Sequence, residues 1–209
     1  MDDCRFGIVT LAAVPMRALP SDRSEMVNQL LKGDALEVLQ RDEKWSLVRS
    51  FYDDYEGWVD NKQYRPLSCR PPLAEPAACG LKPSEVALDY LGAPYLWGGR
   101  TKMGIDCSGF TQVVFGACGR RISRDASQQA AMGVLVPSVR EAAAGDLCFF
   151  QNESGKIVHV GIYLGNDRII HASGEVRIDR LDSTGIFNVE VNGYSHRLHS
   201  IRRVDVPSK

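Results

Sequence analysis

Apolar residues in the first third of the chain recur in short alternating runs, and turn residues bound each run. Such runs are typical of β-strands whose two faces meet different surroundings. Many short strands in a short stretch of chain favour a small β-barrel. The strands are predicted at 6–11, 35–39, 45–49 and 57–60.

From residue 83 onward the spacing becomes helical and then returns to strand-like runs. Pro83 opens a short helical run, and the apolar residues at 110, 113, 114 and 117 follow the helical period. Helices are predicted at 83–91, 107–117 and 126–132, and strands at 146–150, 159–164, 168–172, 176–179 and 199–204. Helices that precede a run of strands predict an α+β fold with an antiparallel sheet.

Prolines mark the boundary between these two parts. Five of the ten prolines lie between residues 66 and 83, and a Pro-rich run favours extended, semi-rigid chain. We therefore predict a β-barrel domain over 1–66, a linker over 67–82 and an α+β domain over 83–209.

Composition and charge exclude several classes of protein. Apolar residues make up 44% of the chain and charged residues 24%, which is ordinary for a globular protein and too apolar for a disordered one. The formal net charge of −1 argues against non-specific nucleic-acid binding. No apolar stretch is long enough for a transmembrane helix, and the chain begins acidic where a secretory signal would be basic. We expect a cytoplasmic protein, unless a leader has been removed, with neither a nucleic-acid nor a membrane partner.

The chain contains six cysteines, and one of them has a distinctive neighbourhood. No pair has the C-x-x-C spacing of a zinc ribbon, so most are expected to be buried apolar side chains. Cys107 instead lies where a glycine-rich loop turns into a predicted helix, with Asp106 in the N-cap position. The positive end of a helix dipole stabilises a thiolate, so we expect Cys107 to have a lowered pKa and to act as a nucleophile.

Two histidines offer a base for this nucleophile. His159 and His171 lie in neighbouring predicted strands, and a hairpin that turns near Asn166 places both imidazoles side by side on one face. One could then act as the base while the other orients it. Two alternatives stay open at this point. The histidines could be core residues, or Cys107, His159 and His171 could bind zinc, although no fourth ligand is evident.

Five motifs resemble the NlpC/P60 cysteine peptidases in order and spacing. They are Tyr95-Leu-Trp-Gly-Gly, Asp106-Cys-Ser-Gly-Phe, Gly145-Asp-Leu-Cys-Phe-Phe, His159-Val-Gly-Ile-Tyr-Leu-Gly and Ile170-His-Ala, and the match covers roughly residues 84–205. The resemblance implies a papain-like α+β fold, with the nucleophile on a helix packed against the sheet that carries both histidines. It implies Cys107 as nucleophile, His159 as general base and His171 as the residue that fixes the imidazole tautomer, with no cofactor and no metal.

The same resemblance implies how the reacting group is held. The main-chain N–H of Cys107 would stabilise the oxyanion, with the Tyr95 hydroxyl as a candidate second donor. Asp106 and Ser108 flank the nucleophile and would line the pocket on the acyl side.

Residues 1–66 resemble a bacterial SH3-like domain, most specifically in the closing Gly57-Trp-Val. Such a domain placed before the catalytic one resembles the γ-D-glutamyl-L-diamino acid endopeptidases, which act on peptidoglycan peptides with a free N-terminal L-alanine. The stretch Arg124-Asp-Ala-Ser-Gln then implies Asp125 as the anion that pairs with the substrate ammonium, and Ser127 as a further hydrogen-bonding group.

In that subgroup the SH3-like domain also contributes an acid and a tyrosine to the substrate site. Here these would be Glu25 and Tyr55, with Tyr64 as the second choice for the tyrosine.

These features lead to one hypothesis and two alternatives. The hypothesis is a cysteine endopeptidase that cleaves the γ-D-glutamyl–diamino acid bond of peptides such as L-Ala-γ-D-Glu-diaminopimelate, through a Cys107 thioester, in cell-wall peptide recycling. The sequence leaves both diaminopimelate and lysine open as the diamino acid. The alternatives are a module that binds peptidoglycan peptides and an acyltransferase that uses the same thioester. We expect a monomer or weak dimer, and we expect His196 and His199 at surface or strand positions without chemistry.

Overall fold

The computed structural model describes residues 4–72 and 80–205. The chain packs as two compact units, Met1–Glu75 with Trp97–Thr101 and Pro76–Leu96 with Lys102–Lys209. Residues 73–79 of the predicted linker 67–82 lie outside the described residues. The segment Trp97–Thr101 belongs to the first unit, whereas the sequence had placed it in the second domain.

The first unit is built from antiparallel strands. They are β1 (Phe6–Ile8), β2 (Ala13–Arg17), β3 (Met26–Leu31), β4 (Ala35–Arg41), β5 (Trp45–Ser50), β6 (Glu56–Asp60) and β7 (Arg65–Leu67), with the short strand β8 (Arg100–Thr101) in the added segment. Strands β1–β7 form one sheet in the order β3-β2-β6-β5-β4-β1-β7. Alternate residues along these strands bury a small core, which includes Met16, Leu30, Leu36 and Val48.

The second unit begins with helices and continues with strands, as predicted. Its helical elements are α1 (Pro83–Val86), a 3-10 turn (Ala87–Tyr90), α2 (Cys107–Ala117), α3 (Ala126–Gln129) and a second 3-10 turn (Val139–Glu141). Its strands are β9 (Gly104–Ile105), β10 (Val134–Val136), β11 (Leu147–Gln151), β12 (Ile157–Gly165), β13 (Arg168–Ser173), β14 (Glu175–Leu181), β15 (Gly185–Asn188) and β16 (Gly193–Arg203). The helix predicted at 107–117 has the predicted bounds, whereas the one predicted at 126–132 ends at Gln129.

The sheet of the second unit closes on itself. Its order is β10-β16-β11-β12-β13-β14-β15, and β15 also pairs with β16. One face packs against the helices in a core that includes Phe110, Phe115 and Val160. The other face encloses a second core, with Phe150 and Tyr163 among its residues. Side chains of alternate strand residues therefore enter two different environments.

The described residues contain no helix that is long and apolar enough to cross a membrane.

Candidate active site

Cys107 is the first residue of helix α2, and its position is fixed by the residue before it. Asp106 has an extended backbone, and its side chain accepts a hydrogen bond of 2.6 Å from the N–H of Gly109. This is the N-cap arrangement that the sequence predicted. The first N–H groups of a helix have no carbonyl partner within it. The helix start therefore offers main-chain donors beside the thiol.

A buried ion pair holds this end of the helix. Arg124, only 2% exposed, donates to Asp106 Oδ1 at 3.0 Å and to Ser108 Oγ at 2.9 Å. Gln129 donates to the carbonyl of Ser108 at 3.0 Å and accepts from Thr111 at 2.7 Å. Asp106 and Ser108 were predicted to line the acyl-side pocket, and the structure gives both a role in anchoring the nucleophile helix. Their contact with substrate stays a prediction.

The Cys107 thiol is buried, and this changes one expectation. The main-chain N–H groups of Val160 and Ser108 act to lower the pKa of the thiol, and Val160 directly follows His159. Burial nevertheless raises the pKa of Cys107 to about 11, and the Asp106 carboxylate adds to the rise. The predicted lowering by the helix dipole is therefore wrong for this conformation, because loss of solvent outweighs the N–H groups and Arg124. The thiol carries its proton at neutral pH.

His159 and His171 lie side by side, as the hairpin predicted. Strands β12 and β13 are joined at Asn166 and Asp167, whose positive φ values of 52° and 55° are typical of a type I′ turn. The register pairs His171 with Gly161, so His159 lies two residues along the same face. His159 Nε2 and His171 Nδ1 are 2.9 Å apart in a hydrogen bond. This hydrogen bond therefore fixes the orientation of one imidazole relative to the other.

Asp179 extends this pair, and the sequence analysis missed it. Its Oδ2 lies 3.0 Å from His171 Nε2, and Arg177 donates to the same carboxylate at 2.8 and 3.2 Å. Burial alone would raise the pKa of Asp179, but the hydrogen bonds from His171 and Arg177 lower it below its usual value. A signal was present: a hairpin turning at Gly174 pairs residue 179 with 169, which places Asp179 on the face of His171.

His196 lies in strand β16, as expected, and its ring also contacts the histidine pair. Its ring stacks on that of His159 with centroids 4.1 Å apart and an interplanar angle of 26°. Burial, together with the neighbouring His196 and His171, lowers the pKa of His159 well below 6.5. Burial also lowers the pKa of His196 to about 4. His199 is exposed and bonds Ser200 at 2.9 Å, outside the cluster.

An open cleft of about 320 Å³ lies beside the cluster. It is lined by Tyr95, Val158, His159, Ala172, Ser173, Gly174 and His196. Burial raises the pKa of Tyr95 to about 12, with smaller contributions from Cys107 and Asp106. The hydroxyl therefore keeps its proton and can donate it, as the predicted oxyanion role requires.

The predicted ammonium site lies at the start of helix α3. Asp125 and Gln128 form a reciprocal capping box, in which Gln128 Oε1 accepts from the Asp125 N–H at 3.3 Å. Asp125 is partly exposed, and Ser127 is exposed. Asp125 thus caps helix α3, and its role toward substrate stays a prediction.

The two residues predicted from the barrel lie in the first unit. Glu25 is exposed, directly before β3, and its Oε1 accepts a hydrogen bond of 2.6 Å from the Trp97 indole. Tyr55 is partly buried between β5 and β6. Tyr64 is 5% exposed in the barrel core and bonds Ser46 at 2.9 Å, which makes it unsuitable as the alternative tyrosine.

Within residues 4–72 and 80–205, no group of three or more His, Cys, Asp and Glu side chains is arranged to hold a metal ion. The five described cysteines are all free. Cys79 lies outside the described residues.

The fold and the site together define a two-unit protein with a small barrel and an α+β unit that carries a buried cysteine at a helix start and a hydrogen-bonded pair of histidines. The sequence matches the NlpC/P60 family over residues 92–199, more than half of the chain, and the chain belongs to that family. Residues 16–63 match the bacterial dipeptidyl-peptidase Sh3 domain. The prediction of a papain-like α+β domain preceded by an SH3-like β-barrel is confirmed.

Similar proteins include two named γ-D-glutamyl-L-lysine dipeptidyl-peptidases. The one from Bacillus subtilis (strain 168) is 49% identical over 85 residues, which are 40% of this chain and 28% of that protein. The one from Bacillus cereus (strain ATCC 10987 / NRS 248) is 36% identical over 116 residues, 54% of this chain and 33% of that protein. The matched segments thus span about a third or less of these relatives.

A solved structure of an NlpC/P60 family protein from Bacillus cereus ATCC 10987 is similar over both units. It is 26% identical, with a TM-score of 0.50, and the match covers 95% of this chain and 62% of that one. NlpC1 from Trichomonas vaginalis, at 20% identity and a TM-score of 0.51, shares the fold.

Proposed function

We propose that this protein is a cysteine peptidase that hydrolyses the γ-D-glutamyl–diamino acid bond of peptidoglycan-derived peptides. The observation that supports this most strongly is that Cys107 begins a helix and shares a core with Val160, the residue next to His159, which is hydrogen-bonded to His171. The names of the two Bacillus relatives support the bond that is cut.

The resting enzyme holds a neutral thiol and a neutral imidazole. The pKa of Cys107 is raised to about 11 and that of His159 is lowered well below 6.5, so the proton stays on sulfur at pH 7. His159 Nε2 is occupied by the bond to His171, which leaves Nδ1 to take the proton. Proton transfer therefore accompanies the attack of sulfur on the carbonyl carbon, and His159 acts as a general base.

The first half of the reaction forms a thioester. Sulfur adds to the γ-carbonyl of D-glutamate, and the resulting oxyanion accepts hydrogen bonds from the Cys107 N–H and the Tyr95 hydroxyl. His159 then gives its proton to the amine of the diamino acid as the C–N bond breaks. In the second half, His159 removes a proton from water, which attacks the thioester and releases a carboxylic acid and the thiol.

Substrate selection follows from the substrate's free amino terminus. A cation held away from water needs an anion, and Asp125 is a partly exposed carboxylate on the catalytic unit. We infer that Asp125 binds the L-alanine ammonium, with Ser127 beside it. Glu25 and Tyr55 are proposed as further substrate contacts on the basis of the family resemblance. For the protein as a whole, we propose a role in recycling small peptides in the cytoplasm.

The test is a digest of L-Ala-γ-D-Glu-diaminopimelate beside its N-acetylated twin, followed by mass spectrometry. We expect diaminopimelate release from the free-amine peptide alone. Cys107→Ala should abolish release, whereas Cys118→Ala, a buried cysteine just after the same helix, should not. Binding without cleavage would favour the binding module, and a new amide formed with an added amine would favour the acyltransferase. Equal cleavage of both peptides would overturn the ammonium proposal.

A further inference from the structure

A chain of three side chains runs diagonally across strands β12, β13 and β14. The register pairs Gly161 with His171 and Ile169 with Asp179. His159, His171 and Asp179 therefore lie on one face of the sheet. Each is offset by two residues from the position directly opposite the next. Diagonal neighbours of this kind are within reach of long side chains. The contacts are 2.9 Å from His159 Nε2 to His171 Nδ1 and 3.0 Å from His171 Nε2 to Asp179 Oδ2.

We propose that Asp179 is a positioning residue, which acts through His171 to fix the nitrogen of His159 that carries the proton. The inference rests on the proposed function, since it assigns the state of the base in that reaction. Asp179 itself touches neither the substrate nor the thiol in this account.

The argument follows the protons along the chain. An ionised carboxylate can only accept hydrogen bonds, so His171 must carry its proton on Nε2. A neutral imidazole then has a lone pair on Nδ1, which accepts from His159 Nε2–H. His159 in turn has its lone pair on Nδ1. Through His171, the Asp179 carboxylate therefore determines which nitrogen of His159 can act as the base. That nitrogen is Nδ1, which is not bound to His171.

Arg177 keeps the carboxylate ionised in spite of its burial. Asp179 is 6% exposed, and a buried carboxylate without a partner tends to take up a proton. Arg177 donates to both carboxylate oxygens and also binds Glu190 at 2.9 Å. The remaining acceptor position on Oδ2 is directed to His171.

The replacement Asp179→Asn reverses this order. An amide has one acceptor oxygen, for which the two Arg177 donors compete, so the NH₂ group turns toward His171. His171 Nε2 must then accept, its proton moves to Nδ1, and that nitrogen donates to His159 Nε2. The proton of His159 is forced onto Nδ1, and the thiol loses its base.

The experiment has a spectroscopic readout and a kinetic one. In ¹⁵N-histidine-labelled wild type, we expect His171 and His159 both as Nε2–H tautomers, and in Asp179→Asn both as Nδ1–H tautomers. We expect kcat of the variant to fall by about 10³–10⁴-fold, the order seen when an orienting carboxylate is lost from a catalytic triad. KM should stay within about twofold, since the residue does not contact substrate.

Asp146→Asn is the matched control. Asp146 is 3% exposed and paired with Arg203 at 2.7 Å, so its loss disturbs a buried Asp–Arg pair away from the histidines. We expect it to lower stability without moving the tautomers or kcat.

The tautomer measurement needs no substrate, so it can fail or succeed independently of the proposed peptidase activity. A wild-type spectrum with His171 protonated on Nδ1, or on both nitrogens, overturns the proposal even if no variant folds. Unchanged tautomers in Asp179→Asn, or a fall in kcat equal to that of Asp146→Asn, also overturn it.

Discussion

Gly161 has no side chain, so the His171 side chain can lie close to the backbone of strand β12. Replacing Gly161 tests whether this close approach of β12 and β13 is what places His171 beside His159. A Cβ at residue 161 would lie 2.9 Å from His171 Cβ and 2.8 Å from Ile169 Cδ1. Carbon atoms in contact are normally about 3.5–4.0 Å apart. The overlap with His171 is therefore about 0.6–1.1 Å. The Ile169 side chain can rotate away, but the His171 Cβ is attached to the backbone and its ring is held on both sides.

The expected effect of Gly161→Ala follows from that overlap. Overpacking of this kind costs about 1–3 kcal/mol of unfolding free energy, which corresponds to a fall in Tm of roughly 2–12 °C for a chain of this size. A shift of about 1 Å in a catalytic group can reduce kcat by about 100-fold. We therefore expect a larger loss in kcat than the change in stability alone would cause.

The measurement is kcat and Tm for Gly161→Ala beside Gly193→Ala. Gly193 lies in β16 of the same unit, and a Cβ there would meet only the Val191 carbonyl oxygen at 3.8 Å. The control should keep both properties. A Gly161→Ala enzyme with wild-type Tm and kcat would refute the idea that the glycine positions His171.

Three further predictions address other parts of the second unit. Arg124→Met leaves Asp106 buried without its partner and should lower the unfolding free energy by about 3–5 kcal/mol in urea titrations; a loss below 1 kcal/mol would contradict the ion-pair account. The pKa of His196 is lowered to about 4, so its neutral ring stabilises the fold above pH 6.5 and that stability is lost as the pH falls from 6.5 to 4. In His196→Phe, the stability lost between pH 6.5 and pH 4 should be smaller than in wild type by about 2 kcal/mol, a figure reduced because the ring is partly exposed. Equal pH profiles of Tm for wild type and variant would contradict this. Asp125→Asn keeps a good N-cap, so Tm should hold while KM for the free-amine peptide rises at least about 10-fold; an unchanged KM would exclude Asp125 from ammonium binding.

Local patterns were sufficient to predict the parts of the site that lie close together in sequence. Helix α2 begins at Cys107 because Asp106 caps it, and both features are visible in five residues of sequence. The histidine pair follows from a short hairpin whose turn residues adopt positive φ. Each of these arguments uses contacts within a dozen or so residues, where strand and helix periods determine which side chains meet.

Long-range contacts were the part that sequence could not supply. His196 reaches His159 because β16 pairs with β11, which in turn pairs with β12, and nothing near residue 196 indicates that strand order. The thiol pKa was predicted in the wrong direction, since the helix position was visible in the sequence but the burial of Cys107 was not. The position of Asp179, in contrast, could have been predicted from the sequence. Strand alternation on either side of a turn at Gly174 places it on the same face as His171.

The central claim is that Cys107 forms a thioester with the γ-glutamyl group, and it can be tested by mass spectrometry of peptides from the acid-quenched enzyme. Wild-type enzyme mixed with L-Ala-γ-D-Glu-diaminopimelate would be quenched in acid and digested to locate any adduct. The account predicts an L-Ala-γ-D-Glu acyl group on Cys107, lost on treatment with hydroxylamine as the hydroxamate. Diaminopimelate release by Cys107→Ala at the wild-type rate would contradict it.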